Sequence, residues 1–267
     1  MPRALHLLAD AAAFRPVVEL ADGALEAAGL ARRGGRVASA LSHGEQRQLE
    51  IAMVLATQPE VLLLDEPLAG MGAEEAALMV ELLRKLAPRH AILLVEHDMD
   101  AVFAVADTIT VMVNGQVLES GPPAQIRASA AVRDAYLGDG FRRSSCVNRL
   151  RATRRRWPAA SKGRAAMSEW LLETRELHTY YGASHVLHGI DFRIGRGETV
   201  GLMGRNGMGK STLIRSMLGL VKPRDGEVRV RGSAMTGAEP IASRARALRT
   251  CRRAEASFRI SRCARTS

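Results

Sequence analysis

An apolar run, Thr199-Val200-Gly201-Leu202-Met203, passes directly into Gly204-Arg205-Asn206-Gly207-Met208-Gly209-Lys210-Ser211 and then into Thr212-Leu213-Ile214. The spacing G-x-x-x-x-G-K-S between a strand and a helix predicts a loop that cradles phosphate. Its glycines let backbone N–H groups approach and point at phosphate oxygens. A helix opening at Lys210 turns its positive end toward the anion. Lys210 then neutralises the β- and γ-phosphates, and the Ser211 hydroxyl serves as a ligand for Mg²⁺. The alternative reading, a glycine-rich turn without a ligand, fits less well because strand, loop and helix are all present.

Other segments carry compatible chemistry. Val61-Leu62-Leu63-Leu64-Asp65-Glu66 reads as a buried parallel strand with two carboxylates at its C-terminal end, where α/β sheets bind ligands. Asp65 suits Mg²⁺, and Glu66 suits positioning or deprotonating an attacking water. His97 follows a second apolar strand, Ala91 to Val95; a lone histidine is more often structural, so its weight comes from its company. Leu41-Ser42-His43-Gly44-Glu45-Gln46 precedes a helix, with Ser42 as N-cap or as a phosphate contact beside the Gly44 N–H. Tyr181 suits stacking on a base, a core aromatic being the other reading.

The remaining pattern predicts α/β architecture with a largely parallel central sheet and antiparallel additions. Residues 1 to 40 read as Ala-rich helix, Gln46–Ala56 as a helix, and Glu74–Leu86 as a helix with a stripe at Met79, Leu82, Leu83 and Leu86. Asn114-Gly115 joins two strands as a hairpin. Strands are predicted at Leu171–His178, Val186–Ile194 and Gly226–Gly232. No apolar stretch is long enough to cross a bilayer and no secretory leader is evident, so a cytosolic chain is expected.

The net charge of +10 is concentrated in two segments. Phe141 to Ala166 carries eight Arg, one Lys and no acid, and Ile241 to Ser267 carries eight Arg and one Glu. All three cysteines (Cys146, Cys251 and Cys263) lie there too, without metal-ligand spacing. A basic arm for nucleic acid or an anionic membrane is one reading; a disordered linker and tail is another. Arg, Ala, Ser and Cys with stray Trp is also what shifted-frame translation of a GC-rich gene yields, and this third reading is the preferred one.

Together the motifs resemble the ATP-binding subunits of ABC transporters. Leu41–Gln46 is similar to that family's signature, Val61–Glu66 to Walker B, His97 to the switch histidine, Tyr181 to the adenine-stacking residue and Gly204–Ser211 to Walker A. Leu41–Pro67, Glu96-His97-Asp98-Met99 and Ala135-Tyr136-Leu137-Gly138 resemble importers of branched-chain amino acids, or of related amides or urea. The resemblance implies a P-loop NTPase fold and ATP with Mg²⁺ as cofactors. It implies nucleotide contacts from Gly204 through Thr212 and Tyr181, Mg²⁺ contacts from Ser211 and Asp65, and catalysis by Glu66 and His97. It further implies that Ser42 and Gly44 reach the γ-phosphate across a head-to-tail dimer with a second ATPase subunit. Membrane permease subunits would be partners, and the ATPase would sit on the inner face of the cell membrane. Nucleic acid ranks last as a partner, since no nucleic-acid motif accompanies the basic segments.

The order of these motifs departs from the family. The signature half, 1–140, comes first; a basic linker, 141–167, follows; the Walker A half, 168–235, comes next; and a basic tail, 236–267, is expected to be disordered. The glutamine loop that should follow Walker A is missing, since no Gln occurs after Gln125. Ala69-Gly70-Met71-Gly72 lacks the usual aspartate, and the signature reads His43 and Glu45. Circular permutation and fusion of two ATPase halves both produce this order, and fusion at Met167 explains more. The family arrangement implies that Ala91–Val95 pairs with Thr199–Met203 if the halves meet.

Overall fold

The computed structural model describes residues 14–137, 170–235 and, as backbone, 248–252. The first stretch forms α1 (Arg15–Ala27), α2 (His43–Leu55), β1 (Val61–Asp65), α3 (Ala73–Leu86), β2 (Ala91–Val95), α4 (Met99–Val105), β3 (Thr108–Val113), β4 (Gln116–Gly121), α5 (Pro123–Ala128) and α6 (Ala130–Leu137). The second forms β5 (Trp170–Tyr181), β6 (Ser184–Gly195), β7 (Thr199–Met203), α7 (Lys210–Met217), β8 (Asp225–Val230) and β9 (Ser233–Ala234), and β10 is Leu248–Arg252.

Six strands form the main sheet in the order β10-β1-β2-β7-β3-β4. The central pairs are parallel, and β7 inserts between β2 and β3, with Ile92 opposite Thr199 and Ile109 opposite Gly201. The two halves of the sequence therefore share one sheet, with the implied pairing of 91–95 and 199–203 present. A second, antiparallel sheet runs β6-β5-β8-β9.

Alternation of side chains explains why the central strands are apolar throughout. Val61, Leu63, Leu93, Val95, Val200 and Leu202 face one core, shared with Leu177, Ile190, Phe192 and the α7 residues Leu213, Ile214 and Met217. Leu62, Leu64, Ile92, Leu94, Ile109 and Val111 face the opposite core beneath α2, α3 and α4. Both faces are covered, as a parallel sheet requires. The α3 stripe of Met79, Leu82, Leu83 and Leu86 is buried as its spacing predicts, with Glu74 and Glu75 in the first turn and Arg84 and Lys85 in the last.

Two expectations need correction. Within 14–40, helix α1 is followed by short 3-10 turns at Ala31–Arg33 and Ala38–Ala40, so the helix is less extensive there than the Ala content suggests, while residues 1–13 lie outside the described residues. The tail expected to be disordered over 236–267 contains β10, which pairs in parallel with β1 from Val61↔Leu248 to Asp65↔Arg252. An open strand edge presents unpaired N–H and C=O groups, and a backbone ladder can form there without an apolar side-chain pattern. The basic linker with Cys146, the Met167 junction, and the tail at 236–247 and 253–267 with Cys263 lie outside the described residues.

Candidate nucleotide site

The parallel strands β1, β2 and β7 bring three loops to one sheet edge. After β7 comes the phosphate loop. Gly204 stands where a Cβ would lie 2.6 Å from the Met112 carbonyl oxygen, so a side chain is excluded there. Gly209 caps α7 with φ of 96°, a left-handed conformation that favours glycine. Lys210 is buried, and its Nζ donates to the carbonyls of Gly204 at 2.5 Å and Arg205 at 3.2 Å. Burial lowers the Lys210 pKa, while the charges of Glu66, Asp65 and Glu96 pull it back up. Arg205, Asn206 and Gly207 form the exposed turn, and Thr212 is half-buried in the first turn of α7.

After β1, the Asp65 and Glu66 carboxylates emerge at the same edge. The Ser211 hydroxyl donates to Asp65 Oδ2 at 3.4 Å, joining the phosphate loop to the carboxylate strand. Two oxygens this close can flank one hard cation such as Mg²⁺. Glu66 is held in a left-handed conformation, φ 52°, with its N–H donating to the Val95 carbonyl at 2.9 Å. His97 follows β2, with its side chain 60% exposed. Tyr181 lies at the β5–β6 turn, 42% exposed, and its hydroxyl accepts from Arg215 at 3.3 Å.

Ser42 and Gly44 are engaged elsewhere. Ser42 caps α2 in a full capping box with Glu45. The Ser42 hydroxyl and the Gly44 N–H both donate to Glu75 Oε1, each at 3.2 Å. The adjoining small cavity is lined by residues of α2 and α3, Gln48, Leu78 and Met79 among them, and not by the phosphate loop.

Three site-shaping residues escape a reading of the sequence. Glu75 shows there only as a helix N-terminal acid. Gly115 reads as a hairpin residue, yet its N–H donates to Met208 O at 3.1 Å and its carbonyl accepts from His188 N at 2.9 Å. A Cβ at Gly115 would fall 1.8 Å from the Val186 carbonyl oxygen. The hairpin thus wedges between the phosphate loop and β6. Glu96 is fully buried, and its Oε1 accepts from Leu68 N at 2.7 Å. A charged residue ending an otherwise apolar run was the available signal.

The sequence profile of the family described as ABC transporter matches residues 13–69 and 187–264, just over half of the chain. The chain belongs to that ABC transporter family. A profile described as branched-chain amino acid ATP-binding cassette transporter matches 116–142. The Escherichia coli K12 high-affinity branched-chain amino acid transport ATP-binding protein LivG is 46% identical over 117 residues, 43% of this chain and 46% of LivG. The Pseudomonas aeruginosa protein BraF, of the same description, is 41% identical over 127 residues, 47% of this chain and 50% of BraF. The chain spans about half the length of these curated relatives. A solved ATP-binding cassette of an ABC transporter in its ADP conformation aligns at 30% identity and TM-score 0.43, covering 47% of this chain and 51% of that one. The fold is that of an α/β P-loop NTPase of this family. Its match runs through the basic tail to residue 264. Among the described residues no helix is long and apolar enough to cross a membrane.

Proposed function

We propose that this chain is the ATP-binding and ATP-hydrolysing component of an ABC importer for branched-chain amino acids or related solutes. The observation that carries this reading is the contact between Ser211 and Asp65, which joins phosphate loop and carboxylate strand at one edge. Lys210 leaves its loop carbonyls to neutralise the β- and γ-phosphates, helped by backbone N–H groups from Gly204 to Thr212. Ser211 and Asp65 would hold Mg²⁺, which would supply positive charge to offset that developing on the phosphate. Glu66 orients or deprotonates the attacking water, His97 contacts the terminal phosphate, and Tyr181 stacks on adenine. Ser42 and Gly44 complete the site of a second ATPase subunit head to tail. The pair docks on permease subunits at the inner face of the membrane. Identity to LivG and BraF supports the branched-chain solute class. Titration of the purified chain with ATP and Mg²⁺ tests this: Glu66→Gln should bind ATP as the parent does and lose turnover. Equal hydrolysis by both would overturn the assignment of Glu66.

A second reading has a specific observation in its favour. The family match falls in two separated blocks, and no Gln follows Gln125 to form the glutamine loop. In this reading the chain joins the signature half of one ATPase to the Walker A half of its partner and binds ATP without driving transport. ATP turnover stimulated by purified permease would exclude it.

A further inference from the structure

Glu96 is, among the described residues, the one carboxylate with no exposed surface. Burying a charge is costly unless it is fully hydrogen-bonded, so its partners define its role. Its Oε1 accepts from the Leu68 N–H at 2.7 Å. Its Oε2 accepts from the His97 N–H at 3.3 Å and lies 3.6 Å from His97 Nδ1. The adjacent backbone completes the arrangement, since the Glu66 N–H donates to Val95 O at 2.9 Å. The β1–β2 ladder therefore continues past the strand ends through the Glu96 side chain. It spans Glu66, whose left-handed φ of 52° is strained for a residue with a side chain and persists where the surroundings over-determine it.

We propose that Glu96 is a positioning residue that holds the Glu66–Leu68 turn and the His97 ring as one unit. At 3.6 Å, Oε2 is just beyond hydrogen-bond distance of Nδ1, and a few tenths of an ångström of ring movement closes the gap; the imidazole proton then sits on Nδ1 and Nε2 is left available to solute, because a bond at one ring nitrogen sets the state of the other. A shift of either partner then moves the other, so the Glu66 carboxylate and the His97 ring respond together. This inference rests on the hydrolytic reading for its consequence, though not for its geometry.

Glu96→Gln in the full chain tests it, because glutamine keeps an oxygen for Leu68 N–H and can turn an NH₂ toward Nδ1. Affinity for a fluorescent ATP analogue and KM should stay within about twofold of the parent, while kcat falls about 10- to 100-fold, the loss typical when the hydrogen-bond partner behind a functional group is removed. The His97 ring, observed by ¹⁵N NMR at alkaline pH, should be the Nδ1–H tautomer in the parent and shift toward Nε2–H in the variant. An unchanged kcat, a rise in KM in its place, or an Nε2–H tautomer in the parent would each overturn the proposal. The tautomer in the parent needs no variant and no turnover. A chain that binds no ATP would therefore sink the functional reading, with the role of Glu96 still decided by NMR.

Discussion

Ser211 Oγ stands 3.4 Å from Asp65 Oδ2, a contact between residues 146 positions apart. It forms because β2 lies between β1 and β7, which brings the ends of both outer strands to one edge of the sheet. Neither residue could reach the other without β7 joining strands from the first half of the chain.

Lys210 is the group on which phosphate affinity should depend most. Lys210→Ala is expected to weaken ATP binding by about tenfold or more, since a hydrogen bond to a charged group contributes about 1.5–3 kcal/mol and 1.4 kcal/mol is tenfold. Isothermal titration with ATP and Mg²⁺ measures this. Affinity equal to that of the parent would remove Lys210 from the site.

Gly115 sits at φ 72° with the Val186 carbonyl where its Cβ would be. Gly115→Ala should cost about 2 kcal/mol or more, from left-handed strain together with the clash. Thermal unfolding should register a fall of about 5 °C or more. An unshifted Tm would mean that the hairpin does not press on β6.

Tyr136, on α6, has a buried hydroxyl without a hydrogen-bond partner among the described residues, and burial pushes its pKa up from 10.0 to about 12. Its folded pKa lies above its unfolded one, so its contribution to stability is full below about pH 10 and is lost progressively as pH rises from about 10 to 12. Tyr136→Phe should therefore gain Tm relative to the parent at pH 11 compared with pH 9. A Tm difference that does not change between those pH values would contradict this.

Glu75 accepts from both the Ser42 hydroxyl and the Gly44 N–H. Glu75→Gln weakens two charge-assisted bonds at a partly exposed site, and a loss of about 1 kcal/mol is expected in urea unfolding. Glu74→Gln, one residue earlier, is the control and should change stability by less.

Much of the local structure was legible in the sequence. The i, i+3, i+4, i+7 stripe of α3, the Asn114-Gly115 hairpin and the strand-loop-helix around Lys210 are all present. Helix α2 begins at His43, earlier than Gln46, because the Ser42 cap and Glu45 close a capping box. The tail strand Leu248–Arg252 was illegible because a ladder on the edge of β1 needs backbone groups and no particular side-chain pattern. Of the site residues, Lys210, Ser211, Asp65 and Glu66 meet at one edge, whereas Ser42 and Gly44 turn to Glu75.

The sequence by itself determined most of the central helices and strands and the phosphate loop, because turn chemistry, caps and periodicity act over a few residues. Tertiary structure alone decided that β7 enters between β2 and β3, that Asp65 meets Ser211, and that Glu96 is buried beneath His97. Those outcomes depend on which apolar faces are covered and which backbone edges pair, and partners distant along the chain settle both.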